Sequence, residues 1–147
     1  MFVVTTATAD GAERDGCLVG FATQASISPP RLLVLLSKAN RTYRLARRSH
    51  TLAVHFLHRG NGALAARFGE ETGDDVDKLA GCAWHPGPGG VPVLEGTRGW
   101  VAGGVLDRLD AGDHVAHLLE ILEARVDVPG RQLGYQAVRD LDPGHPA

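Results

Sequence analysis

The sequence predicts a mainly β (α+β) domain: an antiparallel barrel, closed or partly closed, with short helices in its connections. Valine, threonine, isoleucine, leucine and glycine recur in short runs broken by turn residues, a strand pattern more than a helical one. About six such runs follow one another without the strand–helix alternation of a parallel sheet. The chain has 147 residues, 44% hydrophobic and 22% charged, the composition of one globular domain around one core. Residues 1–147 are therefore read as a single domain, with 138–147 as a frayed tail.

The elements follow in order. Residues 2–7 read as a strand, and the polar stretch from Asp10 to Gly16 as the turn of a β-hairpin. Residues 18–28 form a long strand without strict alternation, so it is either buried on both faces or bent at Gly20. Pro29-Pro30 ends it, and 31–36 is an apolar run of strand length. Asn40 is a good N-cap for two helical turns over 41–48. Strand resumes at 52–57, and Asn61 can cap a second helix over 62–68, with Leu64, Ala65 and Phe68 at helical spacing. The acidic run Asp74, Asp75, Asp77 leads into one helical turn at 78–80, and His85 to Pro92 reads as an irregular surface loop. Two strands, 100–109 and 115–126, are joined by a tight turn at Asp110-Ala111-Gly112-Asp113, and 132–138 is a candidate last strand.

Composition excludes several function classes. Fifteen Lys+Arg against 17 Asp+Glu give a formal net charge of −2, so nothing attracts the chain globally to nucleic acid or to an anionic membrane. No apolar run approaches the ~20 residues of a membrane span, and Met1-Phe2-Val3-Val4-Thr5 lacks the layout of a signal peptide, which places the protein in the cytoplasm. Cys17 and Cys82 have no metal or redox spacing and read as reduced packing residues. No metal site is expected: His55/His58 and His114/His117 stand at i,i+3 in strands, on opposite faces. There is no GxSxG elbow, Gly87-Pro88-Gly89-Gly90 is neither a dinucleotide fingerprint nor a P-loop, and the acidic run lacks the order of a calcium loop.

One stretch carries chemistry on physical grounds. Ser37, Lys38 and Asn40 lead from a strand into a helix start, where free backbone N–H groups and the dipole favour a phosphate. Ser37 and Thr42 offer hydroxyls, and Lys38 or Arg41 offers positive charge. The same arginines also fit a plain basic helix surface. Thr23-Gln24-Ala25-Ser26, at the end of the long strand, adds neutral donors and acceptors suited to the edge of a polar heterocycle, though a strand end with Thr and Ser is usually only structural.

At these residues the sequence resembles the flavin reductase-like family of FMN-binding split barrels. The resemblance runs from Phe2-Val3-Val4-Thr5-Thr6 through Asp15-Gly16, Phe21 to Pro30 and Ser37-Lys38-Ala39-Asn40-Arg41-Thr42. It continues through Ala53 to Leu57 and Leu64 to Phe68 to Gly112-Asp113-His114, covering roughly residues 1–125. The family usually has a helix ahead of the first strand, where this strand starts at Phe2, and often smaller polar residues where Gly20 and Phe21 stand.

The resemblance implies an antiparallel split β-barrel that binds FMN, with FAD or riboflavin as alternative flavins. Thr23, Gln24, Ala25 and Ser26 would line the isoalloxazine ring; Ser37, Lys38, Asn40, Arg41 and Thr42 would surround the phosphate. His114, in the Gly-Asp-His turn, is the candidate catalytic residue that positions NADH or NADPH. The implied reaction is hydride transfer from the nicotinamide to flavin, in a homodimer, with reduced flavin supplied to a monooxygenase partner. The alternatives are a non-catalytic FMN-binding or redox-sensing module, or a barrel that holds another planar ligand.

Overall fold

A computed structural model describes residues 1–127 and 131–142. β1 (Phe2–Ala7) and β2 (Arg14–Val19) form the expected hairpin, closed by a turn in which Gly11 takes a positive φ of 69°. The long strand expected over 18–28 breaks at Gly20 and Phe21, so that β3 (Ala22–Ser26) is separate and its central residues are exposed. β4 (Arg31–Ser37) leads through Lys38–Asn40 into α1 (Arg41–Ala46), and β5 (Thr51–Phe56) follows. α2 (Gly62–Glu70) buries Ala65 and Phe68. β8 (Gly99–Asp110) and β9 (His114–Val126) are the two long strands around the Asp110–Asp113 turn.

Among the described residues, seven strands pair antiparallel in the order β2-β1-β5-β8-β9-β4-β3. The two edge strands are consecutive in the chain, joined only by Gly20 and Phe21. Laid flat, seven strands about 4.8 Å apart would separate those edges by about 29 Å. A two-residue link spans no more than about 11 Å. The sheet therefore curls, and Cys17 and Val19 of β2 meet Leu32, Val34 and Leu36 of β4 in one core with Val4, Leu52, Val54 and Leu119. A second core fills the outer face of β1, where Val3 packs with Leu57, Ala65, Phe68, Leu79 and Leu94.

Three expectations change. The loop at 85–92 is held by a small ribbon of β6 (Trp84–Pro86) and β7 (Pro92–Leu94), whose prolines hid it from a strand reading. The last strand expected at 132–138 is a single bridge, His58 to Gln132, followed by a 3₁₀ turn at Tyr135–Ala137. The tail does not fray from 138: Val138 is buried in the second core beside Leu133, and Leu141 is half-buried against it. The remainder, 143–147, lies outside the described residues.

Two buried histidines make the fold pH-sensitive. His55 of β5 contacts the Val3 carbonyl through Nδ1 at 3.0 Å and accepts the Leu94 N–H at Nε2 at 2.9 Å, tying β5 to β1 and β7. Burial pushes its pKa down to about 4, and burial, with Arg108 nearby, does the same to His117. A folded-state pKa of about 4 against an ordinary value of 6.5 means that the unfolded chain binds more protons between those limits. Stability is therefore full above pH 6.5 and falls as pH drops toward 4. Each histidine accounts for about 2 kcal/mol between pH 7 and pH 5. Urea unfolding at the two pH values checks this: His55→Asn, which keeps a donor and an acceptor, removes about 2 kcal/mol of the difference. An unchanged difference contradicts it.

Candidate functional site

β4 and β9 pair so that Ser37 lies opposite His114, which places the strand-to-helix loop beside the Asp110–Asp113 turn. The Lys38 N–H donates to the Asp113 carbonyl at 2.9 Å, and Lys38 Nζ contacts both carboxylate oxygens of Asp110 at 2.8 Å. That ion pair holds the Asp110 carboxyl below its ordinary range, and the His114 contact does so for Asp113. His114 Nδ1 stands 2.8 Å from Asp113 Oδ1, which fixes the imidazole over the turn. Its ring meets Phe21 edge to face, centroids 5.3 Å apart.

A cavity of about 430 Å³ opens here, lined by Phe21, Leu35, Ser37, Asn40 and His114 and, from the C-terminal segment, by Tyr135 and Arg139. Ser37 Oγ accepts the Ala39 N–H at 3.3 Å and keeps its own proton to donate. Asn40 holds the N-cap position but makes no side-chain capping bond, so its amide is available to the cavity. Thus Ser37 and Asn40 meet His114, more than seventy residues away in sequence, at one cavity.

The other expected residues go elsewhere. Thr42 is fully buried and donates from Oγ1 to Asp15 Oδ2 at 2.8 Å, so this hydroxyl serves the interior and not a surface phosphate. The Arg41 guanidinium turns toward Glu13 at 3.8 Å and the Arg14 carbonyl at 3.4 Å, lining a separate basic hollow with Arg44 and Arg48. Lys38 is paired with Asp110 and positions the loop instead of standing free. α1 has six residues against the eight expected over 41–48, which leaves it a weaker dipole for an anion.

Thr23, Gln24 and Ala25 are exposed, and Ser26 is half-buried, on the edge strand β3. Ala25 sits at a register shift between Gln24 and Ser26, a bulge of the kind that re-aims backbone groups beside functional sites. Thr23 and Gln24 line a different hollow, of about 340 Å³, with Phe2, Phe56 and Ile121. Within one chain the four β3 residues and the Ser37 cluster do not share a cavity, but they lie along one ribbon. Thr23 pairs with Leu33 and the Phe21 carbonyl accepts the Leu35 N–H, two residues before Ser37.

Sequence reasoning missed the support behind this loop. Asp15 and Lys78 are both buried, Nζ to Oδ1 3.7 Å, and Asp15 accepts from Thr42 in the first turn of α1. Gly73 packs so closely on Asp15 that a Cβ there would lie 2.6 Å from the carboxylate. The available signal was alternation: extending β2 back to Arg14 puts Asp15 on the same face as Cys17 and Val19, where a carboxylate needs a partner. Among the described residues no three His, Cys, Asp or Glu side chains gather as a metal ion would require. No helix there is long and apolar enough to cross a membrane.

Residues 1–141 match the family described as the flavin reductase like domain. The chain belongs to this family. It is 35% identical over 121 residues to the flavin-dependent monooxygenase reductase subunit HsaB of Rhodococcus jostii, covering 76% of this chain and 60% of that one. It is 30% identical over 136 residues to an FMN reductase (NADH), RutF 2, of Rhizobium rhizogenes, covering 90% and 76%. Among solved structures it superposes on nitrilotriacetate monooxygenase component B from Mycobacterium thermoresistibile with a TM-score of 0.77 at 27% identity, covering 88% and 69%. The chain spans about three fifths of the length of the first curated relatives it matches. In this flavin reductase-like domain, the mainly antiparallel sheet with short helices is the family's architecture.

Proposed function

We propose that this protein is a flavin reductase that binds FMN along the β3–β4 ribbon and takes a hydride from NADH or NADPH, supplying reduced flavin to a monooxygenase component. The observation that carries this reading is the convergence of Ser37, Asn40 and His114 on one cavity at the end of an open-edged strand. Among the described residues, the outer edge of β3 has no strand partner, so its backbone donors and acceptors are available to the polar edge of an isoalloxazine ring. From Thr23, opposite Leu33, to Ser37 the ribbon runs four residues, on the order of 13 Å. That is a length suited to a ring with a ribityl phosphate tail.

FMN, when bound, would supply the hydride-accepting ring. The chain's own residues then bind and orient. Ser37 and Asn40 donate to the phosphate, while Lys38, held by Asp110, keeps that loop and the His114 turn in fixed relation. His114, anchored on Asp113, lines the space where a nicotinamide approaches and fixes its angle to the flavin. No acid–base dyad is required for a hydride step.

The curled sheet is, on this reading, the split barrel of the family, and the active unit is a homodimer. The exposed apolar side chains Phe21, Ile27, Leu109, Leu122 and Val126 support a second copy packing over the sheet edges. A cytoplasmic setting, where reduced pyridine nucleotides are available, agrees with Cys17 and Cys82 being free thiols. The reading is tested by following NADH and NADPH oxidation with FMN, FAD and riboflavin added in turn. It predicts multiple turnovers that depend on flavin. Tight FMN without turnover would favour a non-catalytic flavin module instead.

A further inference from the structure

We propose that the C-terminal segment 133–141 forms the part of the pyridine-nucleotide site that recognises the adenosine diphosphate moiety, Arg139 taking the pyrophosphate and Tyr135 the adenine. This rests on the flavin reductase reading, which assigns His114 to the nicotinamide, and goes beyond it by placing the rest of the dinucleotide.

The argument begins with position. The cavity that holds Phe21, Ser37, Asn40 and His114 is also lined by Tyr135 and Arg139, so the C-terminal segment forms part of its wall. That wall is anchored. The Leu133 N–H donates to the Leu57 carbonyl at 2.8 Å, and Leu133 and Val138 are buried in the core shared with α2. The two side chains in question are nevertheless left outward. Tyr135 is 65% exposed, a large aromatic face at a cavity rim, which suits stacking on a heterocycle. The Arg139 side chain is 58% exposed, its Nε 3.4 Å from the neighbouring Asp140 and its Nη1 3.4 Å from Gln136. Such long, exposed contacts between near neighbours in sequence are weak. The guanidinium keeps donors in the planar fork that suits a pyrophosphate. An apolar and aromatic wall carrying one arginine, in the same cavity as a nicotinamide-positioning histidine, matches a dinucleotide better than a mononucleotide.

The experiment uses the FMN-loaded protein and two hydride donors: NADH, and N-benzyl-1,4-dihydronicotinamide, which lacks both phosphates and the adenosine. Anaerobic flavin reduction is followed at increasing donor concentration for the wild type, Arg139→Ala, Arg139→Lys and Tyr135→Ala. The expected result is an apparent Kd for NADH raised about tenfold in the two alanine variants, partly restored in Arg139→Lys. With FMN held saturating, the limiting rate and the rate with the benzyl donor stay unchanged. An unchanged NADH affinity, or equal losses with both donors, overturns the assignment. Reduced nicotinamide mononucleotide provides a test without mutation: the wild type should bind NADH about tenfold more tightly, and equal affinities overturn the proposal. Failure to reduce either bound or added FMN with any donor overturns the underlying reading, whereas normal reduction with an unaltered NADH Kd overturns this inference alone.

Discussion

Asp15→Ala lowers the unfolding free energy by about 3–5 kcal/mol, because it strands the Lys78 ammonium in the interior without its carboxylate. Both side chains are almost fully buried, so water cannot replace the lost partner. The same substitution deprives the Thr42 hydroxyl of its acceptor, loosening the first turn of α1. Lys78→Met alone leaves the opposite charge stranded and has a comparable cost. The double variant Asp15→Leu with Lys78→Met removes both charges and recovers most of the loss, since buried pairs exchanged for apolar residues of similar volume are often neutral. Chemical unfolding of the four proteins checks this. A single-variant loss below about 1 kcal/mol would contradict the buried-pair account.

The second large effect concerns the cofactor. Ser37→Ala and Asn40→Ala each raise the Kd for FMN about tenfold and leave that for riboflavin within about twofold, because only FMN carries the charged group that these donors address. Arg41→Ala changes FMN binding far less, since its guanidinium faces Glu13 in the neighbouring hollow. Fluorescence titration with both flavins measures this. Equal losses for FMN and riboflavin, or a larger effect at Arg41 than at Ser37, would move the phosphate away from the cavity.

Much of this was legible in the sequence for identifiable reasons. The β1–β2 hairpin, the turn at Pro29-Pro30 between β3 and β4, and the turn between β8 and β9 are marked by local turn chemistry, and local chemistry survives folding. Ser37 and Asn40, expected at the phosphate, and His114, expected separately beside the nicotinamide, line one cavity because Ser37 pairs with His114. Side-chain direction was less legible. Thr42 and Arg41 follow Asn40 directly in sequence, yet one turns inward to Asp15 and the other to Glu13. Those choices depend on residues 27 and 28 positions away, which no local pattern reports. Asp15 was hidden in a stretch read as turn, and the role of Lys78 depends on it. The packing of Leu133 and Val138 joins the C-terminal segment to Leu57, just after β5, and to α2, a long-range contact that polar, glycine-punctuated sequence does not announce.

The account stands most directly on one spectrum. The purified protein is incubated with FMN, desalted, and its visible flavin bands recorded anaerobically before and after adding NADH and then NADPH. The account predicts a retained flavin band that bleaches with at least one of the two nucleotides. A band that persists with both would contradict hydride transfer, and the absence of any retained band together with no turnover of free FMN would contradict the flavin site itself.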